Sequence, residues 1–265
     1  MFESERINAP YMEYYRHIYH LSPRWDGKSS LKGKKVIVYC EQGFGDIIQF
    51  LRYLPNLEKH NCDIVLNCPK ALHPIVSYDV IDKDGSTLPK HDYHILSLSL
   101  PFLLHSQMNN IPYIKYSHKA DLEEHKNNVK IGIAWEGSLA NPNNINRCCP
   151  LKYFKPLLGK DVSLFMLHNS INMPKLTEGV EFDIFGIPIN DFGDTASLIN
   201  ALDFVVSVDT AILHLAGAMG VKTYGLLGSN PDPRWAISNW YDSVRLIRTN
   251  DWEDSINNVI IDLNS

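Results

Sequence analysis

Short apolar runs separated by amphipathic or polar stretches recur along this chain from residue 36 onward. "VIVYC" (36–40) reads as a buried strand, and the apolar-periodic stretch from 46 to 60 as a helix. "CDIVLNC" (62–68) is a second strand, with a helix expected around "PKALHPIVSY". "YHILSLSLPFLLH" (93–105) reads as a strand ending near residue 97, then a short helix. A polar segment, "SHKADLEEHKNN" (117–128), interrupts the alternation before a second series begins. In that series "VKIGIAWEG" (129–137), "VSLFMLH" (162–168), "DFVVSVD" (203–209) and "VKTYGLL" (221–227) read as strands. The expected helices are "PLKYFKPLL", "DTASLINAL" (194–202), "TAILHLAGAMG" and, at the end, "DWEDSINNVIIDLN".

Strands alternating with helices at this spacing indicate βαβ units and parallel sheets. The pattern divides the chain into an irregular or helical arm over 1–33, one α/β half over 34–122 and a second over 123–265. The first half holds fewer βα units. In open parallel sheets ligands bind beyond the carboxyl ends of the strands. Four loops stand there: "EQGFGD", "WEGSLANPNNINR", "SVDTAILH" and "LLGSNPDPRW".

Composition narrows the class without changing this picture. The 265 residues are 45% hydrophobic and 21% charged, with a net charge of -5, which argues against a nucleic-acid binder. No apolar run approaches the roughly 20 residues of a membrane span. The five cysteines include no CxxC pair and so suggest no zinc site. Their odd count, with a charged and aromatic N-terminus in place of a secretory leader, favours free thiols and a cytoplasmic location.

The loops carry the candidate chemistry. In "EQGFGD", Gly43 and Gly45 permit close approach to the backbone, but neither the GxGxxG nor the GK[ST] spacing is present. Asp46 opens the following helix. A helix cap and a general base are both open roles for it. In "SVDTAILHLAGAMG", Asp209 and Thr210 follow a strand, where helix-start amides attract an anion and where either residue also suits a cap. His214 lies one helical turn beyond Thr210, as a site residue or a hydrogen-bonded core histidine. The small residues Ala216, Gly217 and Ala218 suit close packing of this helix on its sheet. Arg147 closes the Asn-rich loop as a candidate for pairing phosphate, or as a solvated surface arginine. Arg234 and Trp235 line a pocket or close the domain.

In this order "EQGFGDIIQFLRYLP", "IGIAWEGS", "SVDTAILHLAGAMG" and "LLGSNPDPRW" resemble the heptosyltransferase-like (family 9) glycosyltransferases over about residues 34–264. The nearest likeness is to the catalytic region that often follows tetratricopeptide repeats in bacterial proteins. The resemblance implies a GT-B-like fold: two Rossmann-like domains with parallel sheets facing a cleft, here with the N-terminal one abbreviated. It implies inverting transfer of a sugar from a nucleotide-diphosphate sugar to an acceptor hydroxyl, with no cofactor and no obligatory metal. Asp46 matches the presumed general base. Gly45, Trp135, Arg147, Asp209, Thr210, Ala211, His214 and Gly228 are the implied donor-binding residues. Cys148 stands where the family usually has a hydroxyl beside the arginine. The acceptor, whether glycan, lipid-linked or protein, is unspecified. A non-catalytic nucleotide-sugar or carbohydrate-binding module and a nucleotide-sugar epimerase are the alternatives.

Overall fold

A computed structural model of the chain describes residues 21–85, 87–105, 112–138, 144–167, 182–237 and 240–263. Residues 1–20 of the expected arm, 139–143 of the polar loop, residue 168 of an expected strand and residue 264 of the last helix lie outside them. The chain divides into two compact units, Met1–Asn109 and Asn110–Ser265.

In the first unit, β1 (Lys35–Tyr39), β2 (Asp63–Cys68), β3 (Asp79–Asp82) and β4 (Tyr93–Leu96) form a parallel sheet in the order β3-β2-β1-β4. β1 pairs with β2 from Lys35↔Asp63 to Tyr39↔Asn67, and with β4 from Val36↔Tyr93 to Tyr39↔Leu96. Val36, Ile37 and Val38 are wholly buried, as an unbroken apolar run on a central parallel strand requires. Each such side chain contributes about 1.5–3 kcal/mol of burial free energy. β3 was not foreseen: "DVID" is polar at both ends and half-exposed on a sheet edge.

The helix expected over 46–60 is three pieces: α1 (Phe44–Phe50), a 3-10 turn (Leu51–Tyr53) and α2 (Leu54–Glu58). Pro55 opens α2 and cannot donate the hydrogen bond that would continue a preceding turn. Pro74 has the same effect in Lys70–Ile75, which is 3-10 rather than α-helical. A short α3 (Leu100–Leu103) follows β4.

The segment before β1 runs beside the outer edge of β4, where Trp25 N–H donates to His94 O and His94 N–H donates to Pro23 O. The backbone groups of that edge are thereby partly covered. The His94 ring is buried, with Nδ1 3.0 Å from Ser22 O and 3.2 Å from Ser22 Oγ. Burial pushes its imidazole down to about 4, against the opposing pull of the Ser22 carbonyl. Unfolding restores an ordinary imidazole, so the unfolded chain takes up a proton between pH 6.5 and 4 that the native state refuses. The stability His94 contributes is therefore complete above pH 6.5 and is lost as pH falls to 4, by about 3 kcal/mol in all. Denaturant titrations across this window should show that slope in the wild type and a shallower one in His94→Gln.

In the second unit, β5 (Val129–Ala134), β6 (Val162–Met166), β7 (Phe204–Val208), β8 (Thr223–Leu227) and β9 (Val244–Arg248) form a parallel sheet in the order β6-β5-β7-β8-β9. Its described α-helices are α4 (Asn144–Arg147), α5 (Phe192–Ile199), α6 (Ala211–Met219), α7 (Arg234–Ile237) and α8 (Trp252–Leu263). The helix expected at "PLKYFKPLL" is a 3-10 stretch, Leu151–Leu157, with Pro156 inside it. Ile133, Trp135, Phe154, Leu164, Val206, Tyr224 and Val259 belong to one core cluster.

The two compact units divide after Asn109, before the polar linker. Tyr113 and Ile114 N–H donate to Ala218 O, Ala120 N–H donates to Ser197 O, and Asn200 Nδ2 donates to Tyr116 O. Those bonds hold residues 113–120 on the second unit. Among the described residues no helix is long and apolar enough to cross a membrane.

Each strand order reverses direction at one place, between β1 and β4 in the first sheet and between β5 and β7 in the second. Crevices for ligands open at the carboxyl ends of the strands at such points.

Candidate functional site

The loops after β5 and β7 meet the second sheet's switch point, and most of the foreseen residues of this unit stand on them. Thr210 ends the β7 loop in extended conformation and caps α6, its Oγ1 accepting from Ile212 N–H at 3.2 Å. Ser207 Oγ lies 3.2 Å from the same oxygen. Ala211 is the first residue of α6, so its amide belongs to the helix start that favours an anion.

Asp209 does not cap the helix. Its carboxylate, 9% exposed, accepts from the Trp235 side chain. Burial raises its pKa, opposed by that bond and by the positive charges of Arg147 and Arg234.

His214 is buried one turn into α6. Its Nδ1 lies 2.8 Å from Tyr241 Oη and its Nε2 lies 3.9 Å from Asp209 Oδ1. The ring stacks on Trp235 at 5.2 Å between centroids and 21° between planes, and meets Tyr241 edge-on at 5.9 Å. Gly217 makes room for this arrangement: a Cβ there would stand 2.5 Å from Tyr241 Cγ. The small-residue run thus serves an aromatic ring from another segment as well as the sheet. Tyr241 went unnoticed in the sequence, where nothing in "NWYDSV" distinguishes it.

Arg147 is set by its neighbours. Asn144 Oδ1 accepts from Arg147 Nε at 3.3 Å and from Gly137 N–H at 3.2 Å. A Cβ on Gly137 would stand 2.5 Å from Arg147 Nη2, so the guanidinium lies across a glycine. Gly228 plays a similar part after β8, since a Cβ there would stand 2.6 Å from Asn146 O. Burial holds the neighbouring Cys148 thiol above its ordinary pKa. Trp135 lies in the core, 3% exposed, with its carbonyl accepting from Cys149 N–H at 2.8 Å.

Arg234 is paired with Asp232 through two bonds of 3.0 Å, from Nε to Oδ1 and from Nη2 to Oδ2. Burial works to raise Asp232, but those bonds and the Arg234 amide outweigh it and hold the carboxyl below its ordinary pKa. The pair sits at the start of α7, just before Trp235.

In the first unit the β1 loop turns through Gln42, at φ 62°, into α1. Gly43 is the N-cap, and Asp46, three residues on, accepts from Gly43 N–H through Oδ2 at 3.1 Å. Asp46 therefore does cap its helix, by reaching back as a capping-box acid does. Gly45 and Asp46 are both half-buried on the first turn, while Phe44 is 42% exposed beside them.

The two parallel sheets make an α/β fold that matches solved GT-B structures. E. coli ADP-heptose lipopolysaccharide heptosyltransferase II shares the fold at a TM-score of 0.56, with 10% identity over 87% of this chain and 100% of that one. The iron-containing dodecameric glycosyltransferase TibC from enterotoxigenic E. coli H10407 does so at 0.63, with 12% identity over 89% of this chain and 77% of that one. Residues 168–259 match the model of glycosyltransferase family 9 (heptosyltransferase). The matched stretch contains Asp209, Thr210, His214, Gly228 and Trp235. Protein FlbA of Caulobacter vibrioides is 25% identical over 89% of this chain, which spans about half, 47%, of that relative.

Proposed function

We propose that this chain transfers a sugar, with inversion, from a nucleotide-diphosphate sugar to an acceptor hydroxyl. The observation that carries the reading is the second switch point, where the start of α6 lies beside the buried Asp209 and the positive charges of Arg147 and Arg234 are felt at its carboxylate. An inverting transfer is one in-line displacement at the anomeric carbon. It needs a base for the acceptor hydroxyl and positive charge for the departing diphosphate. Asp46 is the base in this reading. Arg147, Arg234 and the amides around Ala211 receive the diphosphate, and the His214–Trp235–Tyr241 stack supports the pocket beside it. Those cations supply the charge a divalent metal would otherwise bring, so the reaction is read as metal-independent. A cytoplasmic setting belongs to the same reading and suits five cysteines that are all free.

ADP-heptose is the first donor to try, because the related heptosyltransferase II is described by that sugar nucleotide. Thermal unfolding with ADP, UDP, GDP and ADP-heptose, in EDTA throughout, tests the site. A donor at a hundred times its Kd stabilises by about 2.7 kcal/mol. Ligands carrying one nucleoside diphosphate should raise the midpoint while the others leave it in place. Unmoved midpoints throughout would remove the donor site. A shift that needs a divalent ion restored would remove the metal-free part.

A further inference from the structure

The structure assigns Glu41 as a positioning residue for Asp46, an inference that rests on the transfer reading above. Glu41 lies between the end of β1 and the turn into α1, at the first sheet's switch point, and is 0% exposed. Its N–H donates to Ser97 Oγ at 3.1 Å, and its Oε2 accepts from Leu98 N–H at 3.0 Å. Both partners follow β4, the strand beside β1. One residue earlier, Cys40 N–H donates to Asn67 O on the other side, at 3.0 Å. The chain leaving β1 is thus pinned to each neighbour in turn before Gln42 takes its left-handed turn and Gly43 meets Asp46.

Complete burial of a carboxylate is costly unless its oxygens are hydrogen-bonded, and a charge-assisted bond to an amide is stronger than a neutral one. A loop that needed only a filler at this position would be better served by an apolar side chain. What Glu41 supplies is a fixed tether between two loops of the switch point, a few residues before the proposed base. A misplacement of about 1 Å at a reacting group costs on the order of 100-fold in rate. Glu41 therefore acts through Asp46 and need not touch substrate.

The test follows amide hydrogen exchange over residues 42–47 and ADP release from ADP-heptose in the wild type, Glu41→Ala, Glu41→Gln and Asp46→Asn. Glu41→Ala should exchange faster in that loop and lose about 10- to 100-fold in kcat, with KM for ADP-heptose unchanged. Glu41→Gln, whose amide oxygen can still accept from Leu98 N–H, should recover most of the protection and most of the rate. Unaltered exchange in Glu41→Ala overturns the assignment, as does a loosened loop with an unaltered kcat. A Glu41→Gln as impaired as the alanine variant overturns the tether by an acceptor oxygen. Faster exchange throughout β1 and β4 replaces positioning with a general structural role. If Asp46→Asn is inactive while Glu41→Ala matches wild type, this inference alone falls. If the wild type releases no nucleoside diphosphate from a sugar nucleotide that raises its unfolding midpoint, the transfer reading falls and takes this one with it.

Discussion

Asp46→Asn should lower the transfer rate by about 10²- to 10⁴-fold while leaving the folded protein nearly as stable as wild type. The two halves of this expectation separate the two roles of the residue. The cap is a bond from Gly43 N–H to Asp46 Oδ2 at 3.1 Å, and the carbonyl oxygen of an asparagine can accept it. Loss of the negative charge near the helix start costs about 0.3–1 kcal/mol. A base, in contrast, must take a proton, and an amide cannot. The check is ADP release from ADP-heptose beside a denaturant titration of the same preparation. Activity lost at unchanged stability assigns Asp46 to the chemistry. Activity that merely follows a lost folded fraction leaves it as a cap. Full activity in the variant removes the base role and favours a nucleotide-sugar-binding module.

His214→Ala should abolish the donor-induced rise in the unfolding midpoint that the wild type displays. For the wild type, stabilisation by about 2.7 kcal/mol corresponds to roughly 5–11 °C in a domain of this size. The imidazole stands between Trp235 and Tyr241, with Nε2 directed to Asp209 at 3.9 Å. Without it, Trp235 loses its stacking partner and the bond to Asp209 loses its backing. The variant should also be intrinsically less stable, by about 2–4 kcal/mol, as a large-to-small change in a packed site. Tyr241→Phe keeps the ring over Gly217 and removes only the hydroxyl at His214 Nδ1. It should retain most of the fold's stability and part of the ligand response. If His214→Ala responds to ADP-heptose as the wild type does, the donor lies elsewhere.

The strands and their loops were legible in the sequence because buried parallel strands must be apolar throughout. "VIVYC", "CDIVLNC" and "DFVVSVD" could be read on that ground alone. A cap for α6 was legible at Asp209 or Thr210, and the structure gives it to Thr210, which accepts from Ile212 N–H. Edge strands were not. β9 mixes buried and exposed positions, β3 is short and polar at its ends, and neither has to be apolar on both faces. The 3-10 stretches replaced the expected helices where Pro74 and Pro156 interrupt them.

By itself, then, the sequence determined two α/β halves, the placement of Asp46 and Asp209 just beyond strand ends with His214 one helical turn further on, and a family resemblance carried by local motifs. Each of these depends on residues a few positions apart, whose geometry a strand or helix repeats wherever it occurs. The tertiary structure decided what surrounds them. Trp235 and Tyr241 reach His214 across 21 and 27 residues of chain, and Gly217 matters because a ring from another segment covers it. Arg147 is oriented by Asn144 and Gly137, and Glu41 became an anchor only when β4 came to lie beside β1. Burial, stacking and the raised pKa of Asp209 are properties of neighbours brought together by folding, and no periodicity along the chain encodes them.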